Sequence, residues 1–421
     1  MNELLNLSVS RLVSLLVVVS CFLLLVNAAL PQLELYLGQS LAGNIMIKGA
    51  LLAAAVLGYL VYPRSRLAGL PIIAWLLCIG YLIADITHLV FAHGMSLGDV
   101  LLSYNAYYLT LLIGPALLAF HGTVPERVII RCTVLIFLIC AAIGVTQYLT
   151  AQPILYTESP DGTFRIESWS FFDEVRAFSL FTSAMEFGMF CALCGALGIS
   201  LSRRLPIRGA LLFTVSAIAC FTTLTRLSYL VFICACTSAL VLTFGKRSAR
   251  GLWHPLLYFA LGVSTILVGL NSLVSSDASN LQDASSLLER IGQWTYYYDV
   301  IVHSTLTDQL FGVGIVQNNK ILPLYPMVID DLPLALILHI GIVGLVLFGI
   351  LMSQMWLYLR REALATRQPF LIAAASLWAT LACAGIFNIV FNSIGIVFAL
   401  GILCAKDQPV NELHKVEEKQ P

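Results

Sequence analysis

Charge is what this chain has least of. Asp, Glu, Lys and Arg make up 11% of its 421 residues, whereas an ordinary soluble domain carries about 25%. That shortfall excludes most water-soluble classes. Cysteines are missing from the polar stretches: all eleven fall inside or at the edge of apolar runs. No disulfide or metal scaffold is expected from them, and the Cys191/Cys194 pair reads as small packing residues. Among the seven histidines no pair stands at metal-ligand spacing with a carboxylate partner, so no metal is assigned. The Gly-x-Gly of Phe311-Gly312-Val313-Gly314 follows no strand pattern, which argues against a nucleotide loop and for a turn.

Apolar residues fill the space that charge leaves, at 59% of the chain with a mean hydropathy of +0.90. A helix crossing a hydrocarbon core of ~30 Å needs about 20 apolar residues. Reading the runs between polar breaks gives about twelve segments, at 11–30, 43–62, 71–91, 100–120, 128–150, 178–200, 207–223, 227–244, 255–273, 333–356, 370–387 and 393–405. The run from Ile207 to Phe244 is broken at Thr225-Arg226, and that from Phe370 to Ala405 at Asn388 to Ser393, so each reads as two helices. The expected fold is therefore all-α: a single polytopic membrane domain over 1–421, with about 12 transmembrane helices and two long outer-face loops, at 151–177 and 271–332. Residues 1–30 are read as a retained span, although Val26-Asn27-Ala28 resembles a leader cleavage site.

Orientation follows from lysine and arginine. With the N-terminus inside, seventeen of them fall on the inner side and six on the outer side, namely Lys48, Arg165, Arg176, Arg226, Arg290 and Lys320. Both termini are accordingly expected in the cytoplasm. Three of the outer six stand on or beside expected helices: Arg176 opens the sixth span, Arg226 sits in a two-helix break, and Arg290 lies on an amphipathic stretch from Ser285 to Ser304. There Leu287, Leu288, Ile291, Trp294, Tyr298 and Ile301 recur at helical spacing. A guanidinium offers a planar fork of donors to phosphate oxygens and keeps its charge in a partly dry site. The plain alternative for each arginine is contact with lipid headgroups, and Arg226 resists it best because a break at membrane depth is tolerated where it lines a cavity.

Carboxylates are the other costly groups. Asp85 and Glu186 lie inside apolar runs, where a functional role and a structural pairing are both open. Asp330 and Asp331 stand just before the tenth span, at the outer aqueous boundary, where a carboxylate can act as a general base or simply start a helix. His303 and His339 are the outer or membrane-embedded histidines, and His339 ranks below Asp330 because it lies within a helix.

Several short patches occur in an order that resembles the Wzy-type O-antigen polymerases and the related O-antigen ligases of bacterial envelopes. Arg176-Ala177-Phe178-Ser179-Leu180-Phe181 resembles the arginine-led start of a central span. Thr225-Arg226-Leu227-Ser228 is similar to the family's Ser/Thr-Arg break. Arg290, Trp294 and the Phe311-Gly312-Val313-Gly314 turn resemble its large outer loop, and Gly341-Ile342-Val343-Gly344 the span that follows. One departure stands out: in ligases a histidine precedes that glycine pair by about eleven residues, where this chain has Asp330-Asp331.

The resemblance implies a multi-pass glycosyltransferase of the bacterial cytoplasmic (inner) membrane, acting on its outer face to polymerise polyprenyl-diphosphate-linked oligosaccharide units. By that reading Arg176, Arg226 and Arg290 hold the diphosphate and Asp330 is the catalytic base. Arg290 also stabilises the leaving charge, and Trp294, Tyr297 and Tyr298 shape a glycan groove. Its partners would be the lipid-linked glycan, the bilayer, and chain-length regulator and flippase proteins, with no nucleic acid and no cofactor. Ligation of glycan to a lipid A core is the near alternative. A polysaccharide transporter or flippase is the distant one.

Overall fold

The computed structural model describes residues 70–92, 94–98, 100–101, 112, 124–152, 170–171, 174–181, 183–245, 295–313, 332–384, 397 and 400–401. Apolar runs become helices there, and their ends fall where the local chemistry stops them. Helix α1 spans Leu70–Ala92. Helix α2 (Glu126–Thr150) follows Pro125, carries Glu126 in its first turn and closes on Ala151 in the left-handed region, at φ 50. Helix α3 (Ala184–Ser202) starts where the Ser183 hydroxyl accepts from the Glu186 N–H. Helix α4 (Pro206–Phe221) has its proline at the helix start, where no N–H is needed. Helices α5 (Arg226–Phe244), α6 (Leu306–Phe311), α7 (Leu332–Thr366) and α8 (Pro369–Ala384) follow, and residues 295–303 are helical as well. A two-residue ribbon pairs β1 (Ser170–Phe171) with β2 (Glu174–Val175) antiparallel.

Among the described residues five helices are long and apolar enough to cross a membrane: Ile73–Phe91, Glu126–Thr150, Ala184–Ser202, Arg226–Phe244 and Leu334–Thr366. Two shorter apolar helices, Pro206–Phe221 and Pro369–Leu381, pack among them. The chain is thus helical and of membrane type. The expected spans at 11–30, 43–62, 100–120, 255–273 and 393–405 lie wholly or mostly outside the described residues.

Helix α3 is the axis of the bundle. It is apolar on every side and buried along most of its length, as a helix must be when neighbours surround it. Small residues set how closely those neighbours approach. Gly188 faces the Ser228 side chain of α5, and Gly198 and Gly209 bring the backbones of α3 and α4 together, a Cβ on Gly198 falling 2.8 Å from the Gly209 carbonyl. On α2, a Cβ at Gly144 would meet the Phe187 ring at 2.5 Å.

Helix ends sort into two groups. At one end the Glu126 carboxylate accepts from the Phe370 N–H at 2.9 Å, Arg204 donates to the Arg367 carbonyl at 3.4 Å, and Arg367 donates to the Leu242 carbonyl at 3.3 Å. At the other end Gln147 meets Ser179, Ala177 meets Thr222, and His88 meets Asp308. Every residue of the first group belongs to the side expected to be inner, and every residue of the second to the side expected to be outer. The alternation of the described helices is therefore consistent in three dimensions.

Three local expectations change. The sixth span starts at Ala184, after a non-helical stretch, so Arg176 precedes the helix by several residues and does not open it. The same shift moves Glu186 out of mid-membrane into the first turn, where its carboxylate suits the positive helix end. The tenth span does not end near 356 but runs to Thr366, as two helical pieces that meet at the non-helical Gly341, the second of them, from Ile342, about 37 Å long against the ~30 Å hydrocarbon core. The stretch 357–369 between the expected spans is thus helix as far as Thr366, with a turn at Arg367 and Gln368.

Candidate functional site

Residues 176–181 form a non-helical segment with a turn at Ser179, tied to α2 and to the end of α4, and one side chain holds it there. Gln147 is fully buried in the last turns of α2. Its carbonyl oxygen accepts from the Ser179 N–H at 2.7 Å and its amide donates to the Ser179 carbonyl at 3.1 Å, while the Ser179 hydroxyl donates to the Cys140 carbonyl at 2.7 Å. A side-chain amide thereby substitutes for a backbone partner, and Ser179 sits in the left-handed region at φ 56. Nothing in the hydropathy pattern marks Gln147 or Ser179 as a pair. The one signal was an amide inside an apolar run.

The break between α4 and α5 needs its own supply of donors, because helix ends leave carbonyls unpaired. The sequence Thr222-Thr223-Leu224-Thr225 provides them. Thr222 donates to the Ala219 carbonyl at 2.8 Å and Thr223 to the Cys220 carbonyl at 2.7 Å, and from the next helix Tyr229 donates to the Phe221 carbonyl at 2.8 Å. The chain reverses with Leu224 at φ 45, and α5 restarts at Arg226.

These two pieces meet. The Ala177 N–H donates to the Thr222 carbonyl at 3.0 Å, which sets the half-buried Arg176 beside the exposed Arg226. Burial first, and the like charge of Arg226 second, hold the Arg176 guanidinium below its ordinary value, while Tyr229 acts in the opposite sense. Two arginines kept in each other's field at a helix break suit an anion able to bridge both. An aromatic shelf flanks them: Phe221 stacks on Tyr229 at 6.3 Å and meets the edge of Tyr148 at 6.4 Å.

A second polar region lies where α1, α6 and α7 meet. Gly341 interrupts α7 at φ 66 and ψ −177, a conformation open essentially to glycine alone. The interruption frees backbone groups, and neighbours take them up. Tyr81 of α1 donates its hydroxyl to the Ile340 carbonyl, and the Val313 N–H donates to the Leu338 carbonyl at 2.8 Å. The close approach needs glycine on both sides, for a Cβ on Gly341 would strike the Leu310 carbonyl and one on Gly312 would come within 2.5 Å of His339 backbone atoms. The Phe311-Gly312 turn expected from sequence is present, with Gly312 at φ 85. Tyr81, the fully buried Asp85 and His88 share one face of α1 at spacings of four and three. His88 lies 3.9 Å from Asp308 and 5.9 Å from the Phe311 ring.

Of the remaining residues singled out from sequence, Arg290, Trp294, Asp330 and Asp331 lie outside the described residues. Residues 295–303 are helical, but the expected apolar face is off by a residue. Tyr297 is 3% exposed and Tyr298 67% exposed, so the two do not line a single groove. Burial, then neighbouring Tyr296, pushes the Tyr297 hydroxyl above its ordinary value. A run of three tyrosines leaves periodicity no means of choosing which one faces inward. His303 is solvent-facing and contacts Asp299 at 3.1 Å. His339 is buried in the turn before the Gly341 break. Among the described residues no group of three or more His, Cys, Asp or Glu side chains could hold a metal ion. No protein family matches the chain, and no curated protein matches it.

Proposed function

We propose that this protein is an integral-membrane glycosyltransferase that polymerises polyprenyl-diphosphate-linked oligosaccharide units on the outer face of a bacterial cytoplasmic membrane. The observation that carries the reading is the approach of Arg176 to Arg226 at the α4–α5 break, at the end of the bundle that basic residues mark as outer. A diphosphate on a lipid carrier reaches that place from the membrane with its charge at headgroup depth. In the reaction the acceptor sugar hydroxyl attacks the anomeric carbon of the donor, the bond to the diphosphate oxygen breaks, and the diphosphate leaves on its lipid. Arg176, Arg226 and Arg290 oppose the charge that develops there. Asp330 takes the hydroxyl proton. The shelf of Tyr148, Phe221 and Tyr229 offers rings for the first sugar or the isoprenoid beside the charge.

Transport is the second reading, and a specific observation favours it: a broken helix beside a buried carboxylate, as at Gly341 and Asp85, is a common device of ion-coupled carriers. Reconstitution in liposomes with purified lipid-linked units separates the readings. Ladders of longer glycans are the expected product. Transfer to a lipid A core acceptor alone would replace polymerisation with ligation, and movement across the bilayer without new bonds would replace catalysis with transport.

A further inference from the structure

The end of the bundle opposite the Arg176–Arg226 site carries a second basic surface, built around the α3–α4 turn. Arg203, Arg204, Leu205, Pro206, Ile207 and Arg208 follow one another there, and all are exposed. Pro206 at the helix start makes this turn stiff. Across from it Arg367 stands at the α7–α8 turn and Arg361 is exposed nearly two helical turns earlier, and the hydrogen bond from Arg204 to the Arg367 carbonyl ties the two turns together. Acids are scarce at this end. Among the described residues only Glu126 and Glu362 stand there, and the Glu126 carboxylate is taken by the Phe370 N–H.

Leu205 and Ile207 are the distinguishing feature, at 44% and 76% exposure between the arginines. Two apolar side chains set among three guanidiniums match the depth profile of a leaflet, where acyl chain lies just beneath phosphate. We propose that the α3–α4 turn is a docking site for an anionic phospholipid headgroup of the phosphatidylglycerol class. Leu205 and Ile207 enter the acyl boundary, and Arg203, Arg204 and Arg208 contact the phosphodiester. A zwitterionic headgroup has the same phosphate but adds an ammonium that these arginines repel. The inference is independent of the chemistry proposed at the other end.

Native mass spectrometry of the purified full chain tests it, with short-chain phosphatidylglycerol, short-chain phosphatidylcholine and inorganic phosphate titrated in detergent. Phosphatidylglycerol is retained in preference to phosphatidylcholine, and Arg208→Gln lowers its occupancy about fivefold and Arg203→Gln with Arg208→Gln roughly 25-fold. Leu205→Ser with Ile207→Ser also weakens the lipid, at unchanged charge. Equal retention of both lipids, or an arginine pair variant that binds phosphatidylglycerol as the parent does, overturns the assignment. Displacement of the lipid by inorganic phosphate, with the serine variant unaffected, overturns it too and leaves a free-phosphate site. The single Arg208→Gln change keeps the test decisive where the double variant fails to fold.

Discussion

At the scale of single residues, the candidate site depends on side chains that hold backbone as much as on those that would touch substrate. Gln147 is the clearest example, because it satisfies both backbone groups of Ser179 and so places Arg176. Gln147→Leu leaves a buried N–H and a buried carbonyl unpaired, at a cost of about 2–4 kcal/mol. Thermal unfolding in detergent is expected to show that loss, and activity to fall with it. An unchanged melting temperature would mean that Ser179 finds other partners. Asp330 is tested by chemistry: Asp330→Asn keeps size but cannot take a proton, so turnover falls by about 10² or more, whereas Asp331→Asn, at the neighbouring carboxylate to which the proposal gives no role, has little effect. Equal, mild effects in a glycan-ladder assay would remove Asp330 from the mechanism and return His303 or His339 to consideration.

At the scale of elements, the break in α7 is the feature most worth perturbing. Tyr81→Phe strips the hydroxyl from the Ile340 carbonyl, costing about 1–3 kcal/mol. Gly341→Ala forces a side chain into a glycine-only conformation, against the Leu310 carbonyl, at a cost of similar order. Because both changes open the same clamp, the double variant is expected to lose less than the sum of the two. Strict additivity in unfolding measurements would mean that Tyr81 and Gly341 act separately. This clamp was not legible in the sequence, since Gly341 within an apolar run looks like any small packing residue. Helix existence was legible wherever hydropathy was strong: the Thr225-Arg226 break and the spans at 71–91, 128–150 and 227–244 fall within two residues of the described helices. Register was legible only where polar residues marked it. The stretch from Ala177 to Phe181 is apolar enough to pass for helix, and only the bonds of Ser179 to Gln147 and of Ala177 to Thr222 explain why it turns instead.

At the scale of the whole molecule, the described helices agree on two faces, and the proposal takes the cytoplasmic one to be that richer in basic residues. Cysteine labelling on intact cells with an impermeant reagent checks this: a cysteine at exposed Gln152, just past α2, is expected to react and one at exposed Arg361 to stay protected. Reaction at Arg361 alone would invert the map, and reaction at both would break the alternation. The central claim is that Arg176 and Arg226 form a diphosphate site, and one binding measurement addresses it most directly. Protein in nanodiscs is titrated with a short-chain polyprenyl diphosphate and with the matching monophosphate. The account predicts that the diphosphate binds at least about tenfold more tightly, and that Arg226→Lys abolishes the preference despite keeping its charge, because lysine lacks the planar fork. Equal affinity for the two ligands, or a lysine variant that discriminates as well as the parent, would contradict it.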